Sequence, residues 1–580
     1  MTRMNRVPFI STIIVVGCAL TCLASVHEKL LYRQPIALTR IDQQLFVANR
    51  NSGTVSVIDT TTRAVVREVE LGARFADIAA IPHSKCLIAI DERSDQAIVV
   101  DTTLKTRQRL RVRGTPVNVV VTDSFCSIAS LWARRITLID IDDAQRLKVR
   151  ATVDLPFAPR HQVLSRDGRT LIVATAFGGY VATIDTRTAS LISVRTIEGH
   201  NVSGVTLSAD GKSVRFAQMK IEKHLPTTRE MIAGGYLVGN LVRTVTIDHL
   251  SDSGLKMKPV AHWSLESVGL NGNSAGDPGE LVSLSNGGMV ICLTGVHEVG
   301  IRNTRFGELK RIATGAGPTD LVYDTEDSLA FVANRFDDSV SIVDVKGTRV
   351  IQTVSLGPKA PMSLSQTGEQ LFHDARLSVH NWYSCQSCHP GGHTAGILND
   401  NFSDGTSETP KRVLSLLGTG DTGPWSWNGS MTRLYDQLHR GLETTMKADA
   451  KYINDRSVAA LSAFVQSLPP PPSLASARGE PVDVKAIERG QKVFGEFRCN
   501  RCHKPGFFTT AKMYDVGIHD EMGLKKINPP SLRGVSQRHF LFHDNSARSV
   551  RDVISRFEHH DVETIKPQQV DDLISYLMSL

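Results

Sequence analysis

The sequence predicts a multidomain chain in which an all-β seven-bladed propeller precedes two mostly α-helical domains. Three observations predict this fold class. A short phrase of apolar residues that ends in Asp recurs through the first 360 residues. Helical segments replace it afterwards, and two Cys-x-x-Cys-His pentapeptides lie in the last third of the chain. A chain of 580 residues is long enough for more than one domain.

The composition indicates an ordinary globular protein rather than a nucleic-acid-binding one. Apolar residues make up 41% of the chain and charged residues 22%, which is ordinary for a soluble globular protein. The formal net charge of +7 comes without a long basic run, so it indicates a solvated surface and no nucleic-acid partner. Cys86, Cys126 and Cys292 lie outside the signal and the pentapeptides. Their odd number leaves at least one unpaired, and we expect all three to be buried.

Residues 1–25 predict an export signal. Arg3 and Arg6 precede an apolar run over residues 9–16, which is short for a membrane span. The Val-Val-Gly before Cys18 resembles a lipoprotein cleavage box. Lipidation of Cys18 and cleavage to a free protein both stay open, with an uncleaved anchor as a third alternative. We therefore predict a periplasmic or cell-surface protein whose membrane contact is limited to a lipid anchor at Cys18.

Residues 30–360 are predicted to form the propeller. Short alternating strands that repeat with a period in the forties are typical of one four-stranded blade per repeat. The segment 45–50 recurs almost unchanged at 330–335, so the first and last blades are expected to be equivalent. Both copies resemble the YVTN-type propeller repeats of bacterial surface and periplasmic proteins. Six copies of the phrase have their Asp at positions 59, 101, 140, 185, 248 and 344. A seventh, degenerate copy has Arg302 in place of the Asp.

The repeat also predicts local structure. Val55, Val57 and Val69 alternate along their strands and are expected to face neighbouring blades. Each repeated Asp is expected to accept backbone N–H bonds where the chain turns. Longer spacings indicate insertions near residues 219–243 and 250–288. These are either docking surfaces for the C-terminal domains or a partner, or solvated loops.

Each pentapeptide predicts one covalently bound haem c. Two thiols reach the two vinyl groups of one porphyrin, and the next residue places an imidazole on the iron. A redox dithiol or half of a zinc site is the competing interpretation. The adjoining His occurs both times, however, and no other cysteine pair completes a zinc tetrad. The residues concerned are Cys385, Cys388, His389, Cys499, Cys502 and His503.

The two pentapeptides lie in separate predicted domains. Residues 361–472 form the first, which ends in a stiff tetraproline linker, and residues 473–580 form the second. Each has the size of one class I cytochrome c domain, so we predict two mostly α-helical domains of this type. Helical segments are expected at 431–442, 455–468, 549–558 and 567–580.

Several motifs after residue 360 resemble the bacterial di-haem cytochrome c peroxidase family. This family includes the di-haem enzymes that mature the tryptophylquinone cofactor of methylamine dehydrogenase. Residues 371–378, Leu-Phe-His-Asp-Ala-Arg-Leu-Ser, are similar to the family's lead-in to haem one. Trp427-Asn-Gly resembles its Trp-Asp-Gly, with Gln437 ten residues further on. Residues 530–535 and 542–544 resemble its Pro-Ser-Leu-Arg and Phe-His-Asp motifs in the second domain.

The resemblance implies roles for individual residues. His389 and His503 are the proximal ligands of the two irons. Trp427 is an electron-transfer bridge between the haems, with a packing role as the alternative. Gln437 and Glu443 line the distal side of haem one, where Glu443 moves a proton while the O–O bond of peroxide is cleaved. Glu443 lies closer to Trp427 than the family's acidic residue does, so a surface carboxylate stays open as the alternative.

The second haem departs from the family's pattern. Where relatives carry a distal Met or Tyr, this sequence has Phe557, which cannot bind iron. His559 and His560 are the candidate axial ligands, with an exposed His pair at a helix end as the alternative. The resemblance also implies a calcium site between the domains. Arg538 and Phe540 stand at its Thr and Pro positions, which weakens the case for calcium without excluding it.

These observations predict an exported di-haem oxidoreductase that reduces hydrogen peroxide. Its electrons come from a small redox donor protein, or from a protein substrate docked on the propeller or the haem domains. Two alternatives stay open. One is a peroxide-dependent oxidase that modifies a partner protein, and the other is a non-enzymatic di-haem electron carrier or redox sensor.

Overall fold

The computed structural model describes residues 30–252, 258–260, 263–402, 404–557, 559 and 564–580. The predicted signal over residues 1–25, the candidate lipidation site Cys18 and the candidate ligand His560 lie outside these ranges. Within them, no helix has both the length and the apolar character that a bilayer crossing requires.

The fold class predicted from the sequence is confirmed. Seven antiparallel sheets of four strands each form the blades of a propeller, and each blade is built from consecutive strands. The strands of the first four blades are β1 Pro35–Ile41, β2 Gln44–Asn49, β3 Thr54–Asp59, β4 Ala64–Glu70, β5 Phe75–Ala80, β6 Cys86–Asp91, β7 Gln96–Asp101, β8 Thr106–Arg111, β9 Pro116–Val121, β10 Phe125–Ser130, β11 Arg135–Ile141, β12 Leu147–Asp154, β13 Pro159–Leu164, β14 Thr170–Thr175, β15 Tyr180–Asp185 and β16 Ser190–Thr196.

The remaining three blades carry the insertions that the longer spacings predict. Two short helices, α1 Arg229–Ala233 and α2 Ile247–Ser251, lie within the fifth blade. The strands of these blades are β17 His200–Leu207, β18 Ser213–Ile221, β19 Val238–Thr246, β20 Trp263–Ser267, β21 Pro278–Ser283, β22 Met289–Leu293, β23 Glu298–Arg302, β24 Lys310–Ala313, β25 Pro318–Asp324, β26 Leu329–Asn334, β27 Ser339–Asp344 and β28 Arg349–Ser355.

The propeller core lies between the blades. Val55 and Val57 are fully buried in the apolar cluster shared with the second blade, and Val69 packs against that cluster, as the alternation predicts. The ring closes by packing of β1 against β25, where the backbone N–H of Leu38 donates to Asp320 at 2.6 Å. Cys86, Cys126 and Cys292 are free and buried, as expected.

Most of the repeated aspartates close turns. The side chains of four of them accept backbone N–H bonds from residues that follow: Asp59, Asp101, Asp185 and Asp344. The expectation is wrong for two others. Asp142 accepts these bonds in place of Asp140, and Asp248 lies within α2, whose N-cap is Thr246. The insertion at the fifth blade replaces the ordinary turn by a helical one.

The C-terminal region is mostly helical, as predicted. Its longer elements are α3 Leu364–Phe372, α4 Cys385–Cys388, α5 Leu434–Arg440, a π-helical turn Gly441–Thr445, α6 Asp455–Ser467, α7 Leu474–Arg478, α8 Val484–Glu496, α9 Val550–Ser555 and α10 Pro567–Met578. Two two-stranded ribbons, β29 Leu398–Asn399 with β30 Lys411–Arg412 and β31 Tyr514–Asp515 with β32 Lys526–Ile527, complete it. Single 3₁₀ turns are Thr294–Val296 in the propeller and Ala375–Leu377, Val379–Asn381, Pro390–Gly392, Cys499–Arg501 and Val535–Gln537 here.

Each helical domain is held by one close helix crossing. In the first, α3 crosses α6, and in the second, α8 crosses α10. A Cβ at Gly368 would lie 1.9 Å from the carbonyl oxygen of Ala460, and a Cβ at Gly490 would lie 1.9 Å from that of Asp572. Only glycine permits this approach, so the two domains use the same packing device at corresponding positions.

The propeller contacts both helical domains. Loops of the fifth and sixth blades hold the chain around the first pentapeptide, so these insertions are docking surfaces for the first domain. Their hydrogen bonds are Asn240 to Trp382 O at 3.0 Å, Ser274 N to His380 O at 2.8 Å, Gly276 N to Asn381 O at 3.0 Å and Thr227 N to Asp400 O at 3.0 Å. The third blade holds the second domain, through Arg134 to Gln537 at 3.1 Å and Gln537 to Trp132 O at 2.9 Å.

Candidate haem sites

The first pentapeptide opens onto a cavity of about 270 Å³ in the first helical domain. Cys385, Cys388 and His389 all line it, because the single helical turn α4 presents the three side chains on one side. Burial raises the pKa of both thiols to about 12 and lowers the pKa of His389 to about 4. The imidazole is therefore neutral at physiological pH, which is the form that binds iron.

The second pentapeptide opens onto a smaller cavity of about 160 Å³. Cys499, Cys502 and His503 line it. The Nδ1 of His503 lies 3.1 Å from the carbonyl oxygen of Phe508, which fixes the ring and leaves Nε2 for a metal. Burial lowers the pKa of His503 to about 4, so this imidazole is also neutral.

One wall separates the two cavities. Trp427 and two arginines, Arg412 and Arg538, line both cavities together with the segment 528–530. Trp427 is buried, and its Nε1 donates to the carbonyl oxygen of Arg412 at 2.9 Å. The indole therefore has one fixed orientation between the sites, as its predicted role as a bridge requires.

The cavities fit haem c by the chemistry of their donors. Each brings the two thiols and the neutral imidazole of one pentapeptide to a single apolar space. The shared wall adds Arg412 and Arg538, which form no ion pair with any described residue. Burial lowers the pKa of Arg412 to about 9 and that of Arg538 to about 10. Buried guanidinium groups need anionic partners, and the propionates of a haem supply them.

The predicted distal residues of the first site separate in the structure. Gln437 lines the first cavity from α5. Glu443 does not line it: the side chain is exposed in the π-helical turn, while Leu442 and Met446 of the same segment are buried. The structure therefore does not bring Glu443 to the site, and favours the alternative of a surface carboxylate.

Two other carboxylates line the first cavity. Asp400 is buried at the end of β29, and burial raises its pKa. Asp404 forms an ion pair with Lys411 at 3.1 Å; burial acts to raise its pKa, but hydrogen bonds from Thr406 outweigh this and lower it. No local motif marks Asp400, whose carbonyl oxygen accepts a hydrogen bond from Thr227 N of the propeller at 3.0 Å.

The second cavity contains a second histidine. His559 lines it together with His503, and its ring lies 5.7 Å from that of Phe542. Phe557, at the position of the relatives' ligand, stacks edge-on against Phe542 at 5.2 Å and does not line the cavity. Five other methionines and histidines of this domain do not line the cavity: Met513, Met522, Met578, His519 and His543.

Two further histidines have structural surroundings. His543 is buried, with its ring 6.2 Å from the ring of Trp427, so it supports the shared wall. His393 lies between Trp132 and Phe177 of the propeller, at 5.6 and 4.7 Å. Among the described residues, no group of three or more His, Cys, Asp or Glu is arranged to hold a metal ion.

Comparisons with known proteins agree with this geometry. Residues 363–470 match the family model of di-haem cytochrome c peroxidase, and residues 487–580 match that of cytochrome c. The two helical domains are therefore of the cytochrome c type, and the first resembles the di-haem cytochrome c peroxidases. Cytochrome c domains bind haem c, which supports a haem-based redox function for this chain. The two domains follow the propeller in a single chain.

Individual relatives and solved structures match this chain at low sequence identity. The gamma subunit of hydrazine synthase from Kuenenia stuttgartiensis is 24% identical over 278 residues, which is 37% of this chain and 77% of that protein. A solved Kuenenia stuttgartiensis hydrazine synthase chain is 20% identical, with a TM-score of 0.48, and the match covers 55% of this chain and 98% of that one. A virginiamycin B lyase from Staphylococcus aureus is 12% identical, with a TM-score of 0.40, and covers 53% of this chain and 93% of its own.

Proposed function

We propose that the protein reduces hydrogen peroxide at the first haem site, with electrons that enter through the second. One observation supports these different roles for the two sites. Among the described lining residues, the first cavity has one histidine, His389, whereas the second has two, His503 and His559. A haem c in each cavity supplies one-electron redox chemistry. With one histidine, the first cavity would leave a position open for peroxide, whereas the two histidines of the second would suit electron storage.

The second histidine of the electron-storing site is proposed to be His559. Its ring lines the cavity that the thiols of Cys499 and Cys502 face. His560 is one position further along, lies outside the described residues and remains a prediction from the sequence. Two imidazoles at one haem would favour its ferric state, which would suit a low-potential electron store.

The protons of the reaction need a donor at the first site. Reduction of one hydrogen peroxide to two waters consumes two electrons and two protons. Asp400 is the carboxyl group best suited to deliver them, because it lines the cavity and burial raises its pKa. Asp404 is less suited, since Lys411 holds it as a carboxylate. Gln437 lines the same cavity, where its amide would be available as a hydrogen-bond partner for peroxide.

Electrons are proposed to pass between the sites through Trp427. Its ring is part of both cavity walls, so it is the aromatic group that bridges them. A small redox protein, or a protein substrate docked on the propeller or the haem domains, is the proposed source of the electrons. We also propose that the mature protein is periplasmic or on the cell surface, because c-type haem is attached outside the bacterial cytoplasm.

Electron paramagnetic resonance of the purified ferric protein tests the function. We expect one high-spin signal from the first site and one low-spin signal from the second. One equivalent of hydrogen peroxide should abolish the high-spin signal within the mixing time. Two low-spin signals that peroxide leaves unchanged would instead identify an electron carrier and overturn the proposal.

A further inference from the structure

A propeller residue reaches the first haem-attachment turn. Asp277 precedes β21 and is buried, with 5% of its surface exposed. Its Oδ2 accepts a hydrogen bond from the hydroxyl of Ser384 at 2.5 Å, and its Oδ1 accepts one from the hydroxyl of Ser387 at 2.7 Å. Asn201, from the neighbouring blade, donates to the same Oδ1 at 3.2 Å. The carboxylate therefore joins two blades to the pentapeptide.

The two serines frame the residues that bind haem. Ser384 directly precedes Cys385, and Ser387 lies between the two cysteines. The hydroxyl of Ser387 also accepts a hydrogen bond from the backbone N–H of Ser384 at 2.9 Å. Asp277 thus closes a network around α4, the single turn whose ends carry both thiols and lead directly into His389. A fixed turn is what simultaneous thioether and iron bonds require.

Among the described residues, no cationic side chain balances the charge of Asp277. It forms no ion pair with any described residue, although a buried carboxylate ordinarily needs one. Burial raises its pKa to about 6, so the group is still mostly ionised at neutral pH. Through Ser384 and Ser387, Asp277 contacts the turn to which a haem would be attached. An oxidised haem held there would supply the positive charge that balances this carboxylate.

We propose that Asp277 is a positioning residue of the first haem site, which fixes the attachment turn and stabilises the oxidised state of that haem through its negative charge. The second site has no counterpart. Asn500 and Arg501 stand between its cysteines, and both are exposed. The propeller thereby makes the two haems inequivalent. This inference concerns binding and redox equilibrium, so it stands or falls independently of peroxide reduction.

Potentiometric titration of the full-length holoprotein tests the charge. Asp277→Asn keeps polar contacts to both serines while removing the charge. We expect the first haem's ferric-to-ferrous equilibrium to shift at least tenfold toward the ferrous form, which is about 59 mV for a one-electron couple. The second haem should not shift. A Cys499→Ala, Cys502→Ala protein, which keeps only the first attachment site, assigns the two potentials.

A second propeller carboxylate provides the matched control. Asp338 is also buried, and accepts the backbone N–H groups of Arg33 and Gln34 at 2.8 and 3.0 Å, away from the pentapeptides. Asp338→Asn should leave both potentials unchanged. Asp277→Ala, which removes the hydrogen bonds as well, should reduce covalently bound haem below two per chain. An unchanged first-haem potential in Asp277→Asn, or equal shifts in both control and test variants, would overturn the inference.

Discussion

At the scale of single residues, the first site depends on which carboxyl group faces it. We expect Asp400→Asn to slow the reaction of the ferric protein with peroxide by about 100-fold, because proton transfer by a positioned side chain contributes at least this much. Glu443→Gln should change the rate less than twofold, since that side chain is exposed. Stopped-flow absorbance in the haem bands measures both rates. Equal losses in the two variants would restore Glu443 to the site.

The ligand of the second haem is also a single-residue question. If His559 binds that iron, His559→Ala should convert the second low-spin signal into a high-spin one, with the first site unchanged. His519→Ala is the matched control, because His519 is an exposed imidazole of the same domain outside the cavity. Electron paramagnetic resonance of the ferric variants distinguishes them. A low-spin signal that survives in His559→Ala would move the assignment to His560.

The haem-attachment residues could be predicted from the sequence, but the long-range contacts of the site could not. Cys385, Cys388 and His389 are identified by their spacing alone, and Trp427 by a local motif. Asp277 and Asp400 gave no local signal, because each acquires its surroundings from a chain segment more than 100 residues away. The sequence left Glu443 between two alternatives, because an offset from Trp427 does not determine the direction of a side chain within a π-helical turn.

At the scale of elements, the close crossing of α8 and α10 requires a glycine at position 490. A Cβ at position 490 would meet the carbonyl oxygen of Asp572, so Gly490→Ala should lower the free energy of unfolding of the second domain by roughly 1–3 kcal/mol. Gly495→Ala is the control: it lies in the same helix with nothing within 4 Å. There the better helix propensity of Ala should stabilise by up to about 1 kcal/mol. Denaturant unfolding followed at the haem bands measures both.

The elements themselves were largely predictable. The repeated apolar phrase gives a blade each time, because both faces of every sheet are buried and alternation along the strands is the one pattern that satisfies this. The repeat does not predict that Asp248 lies in a helix, or that the insertions form hydrogen bonds to the first helical domain. Those features depend on what the loops meet in the folded chain, at His380, Asn381 and Asp400.

At the scale of the whole molecule, the ring encloses carboxyl groups on its inner strands. Asp77 lies on β5, Glu280 on β21 and Asp320 on β25, and each has a raised pKa whose first cause is burial. The value is about 6 for Asp77 and about 7 for Asp320. Repulsion from Asp77 adds to the effect at Asp320. The centre of the propeller therefore favours protonated carboxyl groups.

This arrangement predicts how the stability of the propeller depends on pH. An unfolded Asp releases its proton near pH 4, whereas folded Asp320 keeps it to about pH 7, so the folded state binds more protons between these values. The stability that Asp320 contributes is full below pH 4 and is lost as pH rises through 7. Asp320→Asn removes this dependence. From pH 5 to pH 8, the wild-type protein should lose about 2 kcal/mol more unfolding free energy than this variant. Asp59→Asn, at an exposed turn, should show the same pH dependence of the unfolding free energy as the wild type. Denaturant titrations at each pH measure this free energy. The same pH dependence in all three proteins would show that Asp320 does not determine how the stability of the propeller varies with pH.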